Sequence, residues 1–181
     1  LMRSPLPPKG SAPRILVSAC LLGQPVRYNG TAKTLYHAHL ERWQQLGLLV
    51  SFCPELAGGL PTPRPPAEIA QAHNGTAVLA GTAIVHDTSG ADVTAPFVAG
   101  AHKALYTART HGCAFALLTD GSPSCGSLSI YDGSFSGHKQ AGAGVTAALL
   151  RQNGITVFAH TEVEALAAQV TAILQGHTTD A

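Results

Sequence analysis

Short apolar runs, separated by stretches with helical periodicity, constrain the fold of this chain more than any other feature. The runs cover residues 14–19, 48–52, 114–118 and 155–158. Before the third run, apolar residues recur at helical spacing at Phe97, Ala101, Ala104, Leu105 and Ala108. Short apolar strands that alternate with helices are typical of parallel sheets covered on both faces. The sequence therefore predicts an α/β fold, a three-layer Rossmann-like domain with a mainly parallel sheet.

Turn and cap signals predict the connecting elements. Residues 76–80 and 83–86 flank Gly81-Thr82 and are interpreted as a small hairpin inserted in the fold. Five prolines and two adjacent glycines predict an irregular loop over residues 54–66. Further helices are predicted over 36–47, after the N-cap Thr94, over 141–153, and after a capping box of Thr161 and Glu164.

Length and composition predict one domain. A chain of 181 residues with 45% hydrophobic content is long enough to bury one substantial core. We therefore expect a single domain over 14–176, a flexible N-terminal tail at 1–13 and a C-terminal tail at 177–181. The first tail lacks the apolar core of a secretory signal, and no apolar run approaches the roughly 18 residues of a membrane span. The expected compartment is a reducing cytoplasm, where cysteines are thiols or metal ligands.

The charge pattern restricts the class of partner. Charged residues make up 12% of the chain, the formal net charge is +1, and no basic run is present. Proteins that grip duplex DNA or long RNA carry clustered basic side chains. We therefore expect a small-molecule partner, neither long nucleic acid nor membrane, and a single base or nucleotide fits this charge pattern. His37 and His39 are expected to face different sides of a helix, so a histidine metal site is not predicted.

Three cysteines follow the predicted carboxyl ends of strands. Cys20 and Cys53 come after the first two apolar runs, and Cys125 lies in the turn after the third. In a parallel sheet these ends share one edge, so the three thiols are predicted to meet. Cys113 precedes its strand and belongs at the opposite edge. Three convergent thiolates suit zinc with an open position or an iron–sulfur cluster, and the alternative is that they are small buried core residues.

Three motifs give the chain a family resemblance. Residues 17–23 (VSACLLG), 53–68 (CPELAGGLPTPRPPAE) and 122–126 (SPSCG) together resemble the DUF523 family, whose characterised members are thiouracil desulfidases. The match runs from about Arg14 to Gln175. The resemblance implies a four-iron four-sulfur cluster held by three cysteines, whose fourth iron has no protein ligand and takes the sulfur of the substrate. Cys20, Cys53 and Cys125 match the ligand positions, and Cys113 does not.

The resemblance also implies catalytic roles for Glu55 and Ser122. Glu55 would take a proton from water, and Ser122 would orient the pyrimidine ring. The alternatives are that Glu55 caps a helix or pairs with Arg64, and that Ser122 binds only the backbone of its own turn.

Four residues are candidates for the substrate site. Arg27 and Tyr28 could hold an anionic or stacked group, and Arg64 either faces the site or braces its loop. Ser124 is a candidate for the same site or for a hydrogen bond toward the cluster. Asp120 is expected to organise the turn.

Three functions remain open from the sequence. The first is an iron–sulfur enzyme that hydrolyses the thiocarbonyl of a thiolated uracil to the oxo-base. The second is a non-enzymatic iron–sulfur or sulfide-handling module. The third is a metal-free α/β ligand-binding domain.

Overall fold

The computed structural model describes the backbone of residues 12–179 and the side chains of residues 12–175. The predicted N-terminal tail lies almost entirely outside this range. In chain order, the strands and helices are β1 (Arg14–Ser18), α1 (Ala38–Gln45), β2 (Leu49–Phe52), α2 (Pro54–Ala57), β3 (Ala67–Ile69), α3 (Gly75–Leu79), β4 (Val85–Asp87), α4 (Thr94–Thr110), β5 (Cys113–Leu118), β6 (Ser129–Tyr131), β7 (Lys139–Ala141), α5 (Val145–Gln152), β8 (Thr156–Ala159) and α6 (Val163–Thr179).

The central sheet has the order β2-β1-β5-β8, and every neighbouring pair is parallel. One face packs on α3, α4 and α5, where Phe97, Ala101 and Ala104 are buried, and the other packs on α1 and α6 around Trp43 and Leu166. The four predicted strands and the three layers are confirmed. Because all four strands run the same way, their carboxyl ends form a single edge of the sheet.

The predicted hairpin over 76–86 is wrong. Residues 75–79 form helix α3, because the Asn74 side chain accepts a hydrogen bond from the amide of Ala77 and caps the helix. Strand β4 pairs antiparallel with β3, and β6 pairs with β7 in a second hairpin. The fold therefore contains small antiparallel ribbons, but at other positions than predicted.

Several helix starts also differ from the predictions. The 54–66 segment is not wholly irregular, since Pro54 occupies the first turn of α2, where a missing amide hydrogen costs nothing. Helix α5 starts at Val145, since residues 139–141 form β7. Thr94 lies inside α4, and its hydroxyl accepts a bond from the Val85 amide.

Two predictions around α6 are wrong. The carboxylate that caps its entry is Glu162, which accepts a hydrogen bond from the Ala159 amide, so Thr161 and Glu164 do not form the box. His37 and His39 do not face opposite sides, because their rings stack at 5.2 Å and both contact Glu164. His37 is the N-cap of α1, with extended backbone, so helical geometry does not separate the two rings.

In the described part of the chain, no helix combines the length and the apolar character needed to cross a bilayer.

Candidate active site

A cavity of about 320 Å³ opens at the carboxyl edge of the sheet. Its walls come from the segments that follow β1, β2 and β5, together with the loop that contains Arg64 and the hairpin that contains Lys139. This volume is at the lower end of the range for small-molecule sites. The cavity therefore suits a compact ligand that is enclosed on several sides.

Three cysteines line this cavity, as the strand-end argument predicts. Cys20 lies in a 3-10 turn after β1, Cys53 directly precedes α2, and Cys125 lies in the turn after β5. Cys20 and Cys125 are buried, and Cys53 is partly buried. Cys113 begins β5 opposite Arg14, at the amino edge of the sheet, and it is not among the lining residues. All four cysteines are free thiols.

Burial in the cavity makes ionisation of Cys125 and Cys53 to thiolates unfavourable. Burial raises the pKa of the Cys125 thiol far above its usual value, and the charges of Glu55, Cys53 and Cys20 raise it further. Burial also raises the pKa of Cys53, although bonds from the backbone of Leu56 and Glu55 oppose this. With no positive charge to offset burial, the Cys125 and Cys53 thiols stay protonated at neutral pH. A bound cation would favour their thiolates.

The donor set fits a thiolate-bound cluster. Within residues 12–175, no three His, Cys, Asp or Glu side chains are arranged compactly enough to hold a single metal ion. A 4Fe–4S cluster is a body of eight atoms whose thiolate ligands surround it, so it does not require the compact shell of one ion. Three cysteine sulfurs, two buried and one partly buried, match the soft donors that such clusters take.

Glu55 lies in the first turn of α2, two residues after Cys53, and faces the same cavity. Burial raises the pKa of its carboxyl, although the charge and hydrogen bond of Arg64 oppose the shift. The Arg64 Nη2 donates to Oε2 of Glu55 at 3.3 Å. A carboxyl with a raised pKa beside the cavity can hold or release a proton during a reaction.

Arg64 lines the cavity, but its donors are largely committed to the protein. Its guanidinium also donates to the carbonyl oxygens of Pro61 and Val26 and to the Thr62 hydroxyl. The side chain is only 4% exposed. Arg64 therefore braces its own loop, the loop after β1 and the Glu55 carboxylate at once, which unites the two alternatives that the sequence left open.

The turn that carries Cys125 is held by Ser122 and by helix α5. The Ser122 hydroxyl oxygen accepts hydrogen bonds from the amides of Ser124 and Cys125, at 3.0 and 3.2 Å. The carbonyl oxygens of Pro123 and Ser124 accept bonds from the first amides of α5. Ser122 therefore fixes the turn and still faces the cavity, where its hydroxyl hydrogen can donate.

Ser124 lies outside the cavity. It is fully buried, and its hydroxyl bonds the Thr146 hydroxyl at 2.8 Å. The sequence made it a candidate for the substrate site or for a hydrogen bond toward the cluster. Its side chain instead points away from the cavity, into the core behind the turn.

Arg27 and Tyr28 line the cavity, and the structure adds cations that the sequence analysis missed. Lys33 and Lys139 lie in the same wall. The pKa of Lys33 is lowered by burial and by the charges of Arg27 and Lys139, while Cys20 and Asp120 oppose the shift. These lysines are 106 positions apart in sequence, and no local pattern pairs them.

Asp120 has the structural role expected for it. Its Oδ1 accepts hydrogen bonds from the amides of Ser127, Leu128 and Ser129. Burial acts to raise its pKa, but these bonds outweigh burial and leave the pKa below the usual value. The carboxylate therefore anchors the loop after Cys125 in charged form.

Comparisons with known proteins identify the family of the chain. The family model described as 2-thiouracil desulfurase matches residues 15–162. A similar curated relative is the uncharacterized protein YbbK of Bacillus subtilis (strain 168), 47% identical over 152 residues, or 82% of this chain and 97% of YbbK. A similar solved structure is the 4Fe–4S-dependent thiouracil desulfidase TudS (DUF523Vcz), with 48% identity, a TM-score of 0.80, and coverage of 88% of this chain and 99% of that chain. The resemblance to DUF523 is thereby confirmed, and the chain belongs to the 2-thiouracil desulfurase family.

Proposed function

We propose that this protein is a 4Fe–4S-dependent desulfidase that converts the thiocarbonyl of a thiolated uracil into the oxo-base, with Cys20, Cys53 and Cys125 as the cluster ligands. The observation that carries this proposal is the convergence of three thiols and the Glu55 carboxyl on a single cavity. Family membership and the cofactor of TudS support it. Four free thiols are compatible with a reducing cytoplasm, where we expect the enzyme to act.

When bound, a cluster with one iron lacking a protein ligand supplies a soft Lewis acid for the thiocarbonyl sulfur. The chain itself supplies the protein ligands and the acid–base group. Water adds its oxygen to the thiocarbonyl carbon, the carbon–sulfur bond breaks, and the products are the oxo-base and sulfide. No electrons are gained or lost overall, so no redox partner is needed.

Glu55 is the proposed general base. Its carboxylate faces the cavity, and its raised pKa suits transfer of a proton from water to a leaving sulfide. Arg64 binds Oε2, so in the described part of the chain Oε1 is available for the proton. Arg64 is therefore proposed as the residue that positions Glu55, in place of direct substrate binding.

Ser122 is the proposed orienting group for the pyrimidine. Two backbone amides donate to its oxygen, which fixes the hydroxyl and leaves its hydrogen to point elsewhere. A polar edge of the ring can accept that hydrogen. Tyr28 lines the same cavity and offers an aromatic face against which a base can stack.

The cationic wall favours a negatively charged substituent on the substrate. Arg27, Lys33 and Lys139 share the cavity wall, and their mutual repulsion is relieved by an anion. We propose that this wall holds an anionic group attached to the thiolated base. The net charge of the whole chain is only +1, so this concentration of cations is local.

The test is anaerobic reconstitution followed by turnover. Iron and sulfide are assayed, and the loaded protein is incubated with 2-thiouracil, 4-thiouracil and their nucleosides and nucleotides while the oxo-product is measured. We expect bound iron and sulfide, and product that depends on both. Bound cluster without product would favour the sulfide-handling alternative, and protein that binds no iron would favour the metal-free domain.

A further inference from the structure

Two hydroxyl side chains lie at neighbouring strand ends beneath the cysteines. Ser18 is the last residue of β1, and Thr119 directly follows β5. The two strands are adjacent, with Val17 opposite Leu117. Ser18 is 3% exposed, so its hydroxyl needs a protein partner, and Thr119 is half-buried.

The hydroxyls lie beside the cysteines in a crossed arrangement. The Thr119 Oγ1 lies 3.0 Å from the Sγ of Cys20, which follows the other strand. The Ser18 side chain lines the same cavity as Cys125, which follows the strand of Thr119, and it acts to lower the pKa of that thiol against the larger effect of burial. The hydroxyl at the end of each strand therefore lies beside the cysteine that follows the neighbouring strand.

The direction of a hydrogen bond to a thiolate is settled by valence. The Ser18 oxygen accepts a hydrogen bond from the Thr119 amide at 3.0 Å, and its own hydrogen stays available for the Cys125 sulfur. A thiolate carries no hydrogen, so toward a thiolate Thr119 can act only as the donor. The crossed pair thus presents two O–H donors to two sulfurs.

The Cys53 thiolate is favoured by a different source. Backbone amides of Leu56 and Glu55, at the start of α2, act to lower its pKa against burial. The hydroxyls beside Cys20 and Cys125 belong instead to side chains. Mutation can remove these two donors without changing the main chain.

We propose that Ser18 and Thr119 are tuning residues, which donate hydrogen bonds to the Cys125 and Cys20 thiolates and so set the electron density of a cluster bound there. This inference rests on the proposed function, because it requires that these cysteines be cluster ligands. Hydrogen bonds to ligand sulfurs raise the reduction potential of iron–sulfur clusters, and outer hydrogen bonds orient the ligands. A less electron-rich cluster is a better acceptor for a soft thiocarbonyl sulfur.

The decisive variant is Thr119→Val, which removes the hydroxyl and keeps the side-chain shape. Thr119→Ser restores the donor. The pair Ser18→Ala and Ser18→Thr repeats the comparison at Cys125, although Ser18→Ala also leaves the Thr119 amide without its acceptor. Ser127→Ala is a matched control, because the Ser127 hydroxyl is buried without a hydrogen-bond partner among the described residues.

The readout is the midpoint potential of the reconstituted protein, from an anaerobic redox titration followed by absorption and electron paramagnetic resonance. Iron and sulfide are assayed in each sample. We expect Thr119→Val to lower the potential, with roughly a tenfold change in the reduction equilibrium, or about 59 mV for one electron. Thr119→Ser and Ser127→Ala should match the wild type.

The outcomes separate this inference from the proposed function. Wild-type protein that takes up no iron would overturn both. The proposed function requires that the wild type binds the cluster and that the Cys20, Cys53 and Cys125 variants fail to bind iron. If the cluster of Thr119→Val then has the wild-type potential, only the tuning role is overturned. If Ser18→Ala does not fold, the comparison of Thr119→Val with Thr119→Ser decides whether the tuning role holds, because valine preserves the packing of threonine.

Discussion

At the scale of single residues, Glu55 carries the acid–base proposal. It is buried enough to raise its pKa, and Arg64 holds it in place through one oxygen. A buried carboxyl that is partly neutralised by one cation can exchange a proton with water in the cavity. The amide of glutamine keeps the shape of the side chain but cannot accept that proton.

Glu55→Gln is therefore expected to lower kcat about 10²–10⁴-fold, the usual contribution of a general base. Iron and sulfide content should stay at the wild-type level, because Glu55 is not a proposed ligand. The measurement is product formation per bound cluster. Glu41→Gln, at an exposed position on α1, is the control. Full activity in Glu55→Gln would remove Glu55 from the mechanism.

The ligand set makes a second prediction. Serine at position 20, 53 or 125 should lower bound iron to near background after reconstitution, because a hydroxyl is a poor ligand for this cluster. Cys113→Ser should keep wild-type iron content, since Cys113 lies at the opposite edge of the sheet. Loss of iron in Cys113→Ser, with iron retained in Cys53→Ser, would mean that the ligand assignment is wrong.

Cys113 also gives a pH prediction. Burial raises the pKa of its thiol from 9.0 to about 11, so the folded state holds this proton more tightly than the unfolded state does. The favourable contribution is complete below pH 9 and is lost as the pH rises through about 11, at a cost on the order of 2 kcal/mol. Denaturant unfolding of Cys113→Ala should lose less stability than the wild type over this interval. Parallel pH curves for the two proteins would contradict the assignment.

At the scale of elements, the position of Cys53 and Glu55 depends on the packing of α2 against α4. A Cβ added at Gly100 would lie 2.0 Å from the carbonyl oxygen of Pro54, and one at Gly58 would lie 2.0 Å from that of Pro96. Two glycines thus let the two backbones touch. Lys103 adds a hydrogen bond from its Nζ to the carbonyl oxygen of Ala57 at the end of α2.

Gly100→Ala is expected to destabilise the protein although alanine is the better helix former. Alanine at a permissive helix site stabilises by about 0.4–1 kcal/mol, whereas overpacking of a tight contact costs about 1–3 kcal/mol, so the clash outweighs the propensity. The expected result is a lower Tm and reduced cluster retention, because α2 must move away with Cys53. His102→Ala, at an exposed site on α4, is the control. A raised Tm with full iron content in Gly100→Ala would contradict the close approach.

At the scale of the whole molecule, charge is distributed unevenly. The chain is nearly neutral, but Arg27 and Lys33, from the loop after β1, share one cavity wall with Lys139 of β7. Their effect on an anion is strong inside a partly enclosed cavity and is weakened by salt.

Lys139→Gln should therefore raise KM for a thiolated nucleotide several-fold more than for the free base. The difference should shrink at high ionic strength. Arg42→Gln, on the exposed side of α1, is the matched loss of charge outside the cavity. Equal KM changes for the charged and the uncharged substrate would mean that the wall does not recognise an anion.

The sequence was sufficient to predict those features of the site that depend on the order of strands and loops along the chain. Cys20, Cys53 and Cys125 could be grouped, and Cys113 set apart, because parallel strands deliver their carboxyl ends to one edge. The helical face of α4 was likewise visible from its spacing. A local signal was misread in the segment 76–86, where Asn74 caps the amide of Ala77, three residues on, and yields a helix in place of a strand.

Tertiary structure alone decided which side chains meet across the site. Arg64 donates to the Val26 carbonyl in the loop after β1, and Thr119 crosses to Cys20, each over contacts between separate segments. Ser124, the nearest neighbour of Cys125 in sequence, is turned away into the core. The physical reason is that strand order fixes which loops share an edge, whereas hydrogen bonds need matched distances and directions, and only the packed backbone sets those.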